Sequence, residues 1–136
     1  DNGSGPYRRI AVAHGKGLRM LNRFRSAIAR FDHILGRLES RVNKLEEQGI
    51  PSDSFFDVWT SIEEAKNMQV EAEAKMEELK AKYESLLLGE NIKGVVEEAR
   101  AVATGLKIET ENFHVKLREI AMAVGGFIKI QGIPGK

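Results

Sequence analysis

The stretch Leu21-Asn22-Arg23-Phe24-Arg25-Ser26-Ala27-Ile28-Ala29-Arg30-Phe31-Asp32-His33-Ile34-Leu35-Gly36-Arg37-Leu38-Glu39-Ser40-Arg41-Val42-Asn43-Lys44-Leu45 decides the fold. Its apolar members Leu21, Phe24, Ile28, Phe31, Leu35, Leu38, Val42 and Leu45 step by three and four residues without a miss. Residues so spaced share one stripe of an α-helix, and the regularity is that of a coiled-coil seam. The stop is equally legible. Gly49 suits the left-handed position just past a helix, Ile50 can supply the apolar contact beyond it, and Pro51 prevents continuation.

Two further seams follow. Ser52 or Ser54 can cap the second, and Ser54 with Asp57 resembles a capping box. This seam reads Phe55, Val58, Ile62, Ala65, Gln69, Ala72, Met76, Leu79, Tyr83 and Leu86, with Trp59 widening the apolar face and Gly89 ending it. Asn91 can cap the third, which reads Ile92, Val96, Ala99, Ala103, Leu106, Thr110, Phe113, Leu117, Ile120 and Val124 before Gly125 and Gly126. Links this short force antiparallel neighbours. The expected fold is all-α: an up-down-up antiparallel three-helix bundle with coiled-coil-like heptad packing, in one domain over 1–136. Helices are expected over 18–48, 53–88 and 91–125, with an N-terminal tail over 1–17 and a C-terminal tail over 126–136.

The middle of the seams is thin, because Gln69, Ala72, Ala99, Ala103 and Thr110 are small or polar. Small residues let helices approach, and a polar seam residue fixes register. A cavity at this level is the functional alternative.

Both tails carry short apolar runs bounded by glycine, so either could be extended. Ile10, His14 and Gly17 also keep heptad phase, so the first helix could instead continue backwards through them. The termini of an up-down-up bundle emerge at opposite ends, roughly 50 Å apart at about 1.5 Å per residue. Apolar tails there could join copies head to tail, which gives a filament unless the contact closes into a ring. Tyr7, Ile10 and Val12 at one end, and Phe127, Ile128 and Ile130 at the other, are the residues expected to carry this self-association. Tails folded back on their own bundle are the alternative.

Net charge is only +1, but it is unevenly placed. Residues 1–44 hold ten Lys and Arg against three Asp and Glu, a net of +7, which leaves −6 for residues 45–136. Arg19, Arg23, Arg30, Arg37 and Arg41, with Lys44, Arg8, Arg9 and Lys16, could bind an anionic polymer by counterion release. The same side chains could instead answer glutamates on neighbouring helices. Phe24 and Phe31 belong to the seam, so bases would find little to stack on, and nucleic acid is not the expected partner.

Other chemistry is sparse. Zero cysteines exclude disulfides, thiolate catalysis and Cys-type zinc sites. His14, His33 and His114 have no second histidine at i+4, so no helical zinc pair exists, and they read as solvated or rim histidines. Glu63-Glu64, Glu77-Glu78 and Glu97-Glu98 read as a solvated face, with Lys80 and Lys82 available for local ion pairs. Gly15-Lys16-Gly17 lacks the spacing of a phosphate-binding loop. Met20, Met68, Met76 and Met122 are scattered, and Asn2-Gly3-Ser4 is a short glycosylation match. No apolar run approaches the roughly 20 residues that span a bilayer. No enzyme activity, metal, cofactor or small-molecule substrate is expected.

The stretch Ile34-Leu35-Gly36-Arg37-Leu38-Glu39-Ser40-Arg41-Val42-Asn43-Lys44-Leu45-Glu46-Glu47-Gln48-Gly49-Ile50 resembles secreted helical proteins of ultra-small, candidate-phylum bacteria. In that group an Arg-rich heptad helix ends in Lys-Leu-Glu-x-x-Gly, and a second helix begins soon after a Ser or Asp. The resemblance covers residues 18–52 and implies export to the cell envelope or beyond. A chain opening at Asp1 fits removal of a leader or tag, or excision from a longer protein. The expected location is extracellular or in the envelope, with the cytoplasm as the alternative. The leading expectation is a non-enzymatic structural subunit that self-associates into a homo-oligomer. Alternatives are a module that binds an anionic polymer through its basic first helix, and a small helical chaperone or carrier of the envelope.

Overall fold

The computed structural model describes the backbone over residues 5–131 and the side chains over 7–126. It is an up-down-up three-helix bundle of α1 (Gly5–Glu47), α2 (Phe56–Ser85) and α3 (Ile92–Gln131). Short 3-10 turns, Ser52–Phe55 and Leu86–Leu88, flank α2. No strand occurs among the described residues.

The three seams are the core. Every seam residue is buried except Phe24, Gln69, Ile92, Val96 and Thr110, which are partly exposed. The first link closes as the sequence predicts. Gly49 takes φ +100°, its N–H donates to the Glu46 carbonyl at 3.0 Å, and the Ile50 N–H donates to the Leu45 carbonyl at 3.3 Å. These two bonds satisfy carbonyls that a helix end would leave orphaned, and Leu45 and Ile50 are both buried.

The start of the second helical run differs from expectation. Pro51 opens the 3-10 turn and no side-chain cap bond forms there. The Ser54 N–H donates to the Pro51 carbonyl at 3.0 Å, so the backbone supplies what a serine hydroxyl was expected to supply. In the second link Gly89 is left-handed at φ +73°, and Asn91 also has positive φ, at 46°. The Asn91 carbonyl accepts from Val95 at 3.0 Å, which starts α3 at the expected place.

Both outer ends are more helical than expected. α1 begins at Gly5, thirteen residues before position 18, and Pro6 suits its first turn. The expected N-terminal tail is therefore largely helix, the second of the two readings of Ile10, His14 and Gly17. α3 continues through Gly125 and Gly126 to Gln131. Isolated glycines cost a helix roughly 0.5–1 kcal/mol each relative to alanine, too little to stop one whose seam residue Val124 is buried.

The chain divides into two compact units, each drawing on all three helices. The first comprises Asp1–Ile28 and Glu71–Thr110. Its core holds Leu21, Ile28, Leu79, Leu86 and Leu106 beside the small Ala72, Ala99 and Ala103. Lys75 pairs with Glu109 at 3.6 Å and Lys82 with Glu98 at 2.7 Å, which sets α2 antiparallel to α3. The hydrogen bond and charge of Glu98 raise the Lys82 pKa above its ordinary 10.5.

The second unit comprises Ala29–Val70 and Glu111–Lys136. It buries Phe31, Phe55 and Phe113. Phe31 meets Phe113 edge to face at 5.6 Å, and His114 stacks on Phe31 at 5.0 Å. Three carboxylates at heptad spacing lie along the α2 side of α1. Asp32 accepts from Gln69 at 3.0 Å, Glu39 pairs with Lys66 at 3.2 Å, and Glu46 accepts from the Trp59 indole at 3.3 Å. Their partners descend along α2 as they ascend along α1, which fixes an antiparallel register. Gln69 thus has its amide satisfied at the rim of the seam.

Candidate functional site

In the first unit α1 outruns α2. Gly17 is level with Tyr83, α2 ends two residues later at Ser85, and Ile10 reaches Gly89 in the link. A groove of about 620 Å³ opens here between α1 and the start of α3. Its floor is apolar and includes Val12, Gly17, Leu86, Ile92, Val96 and Ala99. Gly17, Leu86 and Ala99 are buried, so the groove reaches the core of the unit. Its cations are Arg8, Arg9 and Lys16 from α1 and Arg100 from α3, and among the described residues no carboxylate lines it.

Tyr83 shapes the floor. Its ring lies against the backbone of Gly17, where a Cβ would fall 2.6 Å from Cε1. Its hydroxyl contacts the Met20 sulfur at 3.5 Å. Burial pushes the Tyr83 phenol above its ordinary pKa of 10.0.

Ion pairing divides the cations by type and helix. All the ion pairs among the described residues use lysines of α2 or α3: Lys66, Lys75, Lys82 and Lys116. The α1 arginines make none of them. Arg25 donates to Asn22 at 3.3 Å, and Arg30 lies over the Phe31 ring at 5.5 Å. Between Gly5 and Ile28, α1 carries Arg8, Arg9, Lys16, Arg19, Arg23 and Arg25 and no carboxylate. All six are exposed.

The arginines singled out from sequence are distributed differently from the groove. Arg19 and Arg23 are exposed in the first unit but do not line it. Arg30 and Arg37 are exposed and Arg41 is half-buried in the second unit. Sequence reading passed over Arg100, which follows two glutamates on α3 and joins the α1 cations only through packing.

Of the residues expected to mediate self-association, Tyr7 is 75% exposed and Val12 47% exposed. Ile10 is half-buried, with Cδ1 3.9 Å from where a Cβ on Gly89 would stand. Phe127, Ile128 and Ile130 lie on α3, but their side chains fall outside the described residues. At the thin middle of the seams, Ala99 lines one end of the groove, and a shallower depression of about 330 Å³ lies beside Ala72 and Thr110, lined by Glu71, Ala74, Lys75, Glu78 and Glu109.

Among the described residues no group of three or more His, Asp or Glu side chains is placed to hold a metal ion. Glu64 pairs with Lys116 of α3 at 3.4 Å and Lys82 with Glu98 of α3 at 2.7 Å, so these ion pairs run between helices and not locally along α2 as the sequence spacing suggested. No described helix is long and apolar enough to cross a membrane. In comparisons with known proteins, no protein family, curated protein or solved structure matches this chain. Fold and groove together define the class: an all-α three-helix bundle with a cation-flanked apolar groove.

Proposed function

We propose that the chain is a non-enzymatic binding module that meets an anionic partner through the first half of α1. The observation that carries this reading is the run of six exposed cations between Gly5 and Ile28, with no carboxylate in that stretch and no ion pair to them among the described residues. Structural cations on a bundle normally face carboxylates, as Lys75 and Lys82 do in the same unit. A cluster left unneutralised attracts anions and accelerates their encounter. The resemblance of residues 18–52 to secreted helical proteins supports an address at or beyond the cell envelope.

The test is binding of a sulfated glycan oligomer, followed by fluorescence anisotropy across a salt series. Affinity should fall steeply with salt, and Arg19→Gln with Arg23→Gln should make the dependence shallower. An absence of binding to sulfated glycan, DNA or RNA at low salt would remove the polymer form of the reading.

A second reading is self-association. It is supported by exposed apolar side chains in the first unit: Tyr7 and Val12 on α1, and Leu87 and Leu88, 60% and 74% exposed, after α2. Light scattering with negative-stain microscopy tests it, and a strict monomer over a wide concentration range would end it.

A further inference from the structure

We infer that the groove of the first unit is a binding site for a single-chain anionic amphiphile, a long-chain carboxylate whose tail lies on the apolar floor and whose head meets the flanking cations. The inference rests on the reading that α1 meets anions, and it names the ligand that the groove selects. Its volume of about 620 Å³ falls within the roughly 300–1,000 Å³ of small-molecule sites.

The floor sets the chemistry of the ligand body. Val12, Ile92, Val96, Ala99 and Leu86 offer no hydrogen-bonding side chain, and the Tyr83 hydroxyl already faces the Met20 sulfur. A sugar or nucleobase laid here would leave its polar groups without partners, which is costly. A hydrocarbon chain has none to satisfy.

The flanks set the head. Arg8, Arg9 and Lys16 on one side and Arg100 on the other supply four positive charges, with no carboxylate among the described lining residues to neutralise them. Guanidinium groups present forked donors that match a carboxylate, and the pairings of Gly17 with Tyr83 and of Lys82 with Glu98 put Lys16 and Arg100 within about one helical turn of each other along the groove. The thin seam explains why the space exists. Ala99 and Gly17 bring little volume to this level, and the partly exposed Ile92 and Val96 mark where the α3 seam loses its cover.

The experiment titrates the full chain with dodecanoate, tetradecanoate and hexadecanoate, each below its micelle concentration, by calorimetry. Amide shifts at Gly17, Val96 and Ala99 locate the site. Affinity should rise about two- to four-fold per added methylene, the range for partial to full burial of each group. Hexadecanol and the methyl ester of hexadecanoate should bind at least ten-fold more weakly than the carboxylate. Arg9→Gln with Arg100→Gln should remove that preference while keeping the chain-length dependence. Ala13→Trp, which fills the groove from a partly exposed position, should remove both, with helicity checked by circular dichroism.

Affinity independent of chain length, equal binding of the alcohol, or shifts confined to residues away from the groove would overturn the proposal. Sulfated-glycan binding that persists without hexadecanoate binding would overturn the amphiphile alone. Loss of both would overturn the anion-binding reading as well. Binding of an acidic amphipathic peptide in place of the carboxylates would assign the groove to a protein partner and also overturn the proposal.

Discussion

The ring of Tyr83 packs against the backbone of Gly17, occupying the space that any side chain at that position would need. Gly17→Ala should therefore destabilise the protein by about 1–3 kcal/mol through overpacking, despite alanine's better helix propensity. Gly36 is the control, because an added Cβ there meets nothing within 4 Å. Gly36→Ala should stabilise by roughly 0.5–1 kcal/mol. Urea denaturation of the two variants beside the wild type checks both signs.

The link after α1 depends on a left-handed residue. Gly49 has φ +100° and open space around it, so Gly49→Ala meets no clash and tests backbone strain alone. The expected loss is about 1 kcal/mol, with the second unit's helices still formed by circular dichroism. An unchanged denaturation midpoint would mean that the turn does not require the left-handed residue.

Alkaline pH should weaken the fold through two groups. Lys82 has its pKa raised above 10.5 by the hydrogen bond and charge of Glu98, and Tyr83 has its own raised above 10.0 by burial. Each holds its proton more tightly when folded, so each contribution is complete below the unfolded value and is lost as pH rises through the folded one. Stability should thus decline as pH rises past 10.0 and then 10.5, the ordinary values of the two groups, less so in Glu98→Gln. In the Tyr7→Phe chain, phenolate absorbance reports Tyr83 alone, and its midpoint should lie above 10.0.

Lys116 reaches Glu64 on α2 at 3.4 Å and Glu119 on its own helix at 3.7 Å, with a side chain only 19% exposed. Lys116→Ala should cost about 1 kcal/mol from lost stem packing and pairing together. Lys116→Met, which keeps the apolar stem, should recover most of it. Equal losses in the two variants would assign the effect to charge rather than packing.

If the second functional reading holds, Tyr7→Ser combined with Val12→Ser should lower the light-scattering mass without altering helicity. An unchanged mass distribution would show that this apolar surface does not join copies.

Most of the fold was legible because heptad periodicity reports burial directly. The stop at Gly49, Ile50 and Pro51 was readable for the same local reason: its hydrogen bonds span a single turn. Gly17 was not legible, because its role depends on Tyr83, which only the folded helices bring to it. Read along the chain, Gly15 and Gly17 resemble breakers; in the bundle, Gly17 occupies a seam position where a ring takes the missing side chain's volume. Gly125 and Gly126 misled in the same way, since the helix propensity of two residues does not outweigh the packing before them. The groove was hidden for a topological reason. It arises where α2 stops short of α1, and Arg100, one of its cations, lies in an acidic stretch of sequence that gives no hint of a basic neighbour.

The separation of lysines from arginines gives the two sets of cations different chemical vulnerabilities. Acylating the amines of Lys66, Lys75, Lys82 and Lys116 removes the charge from every described ion pair and leaves the guanidinium groups of α1 untouched. A dicarbonyl reagent such as phenylglyoxal does the reverse, quenching Arg8, Arg9, Arg19 and Arg23 while sparing those pairs. Guanidine modification should therefore register as altered recognition with the ion pairs intact, whereas amine modification should register as altered folding stability together with the loss of one recognition cation, the exposed Lys16; a Lys16→Arg chain keeps that charge and leaves amine acylation to report on the ion pairs.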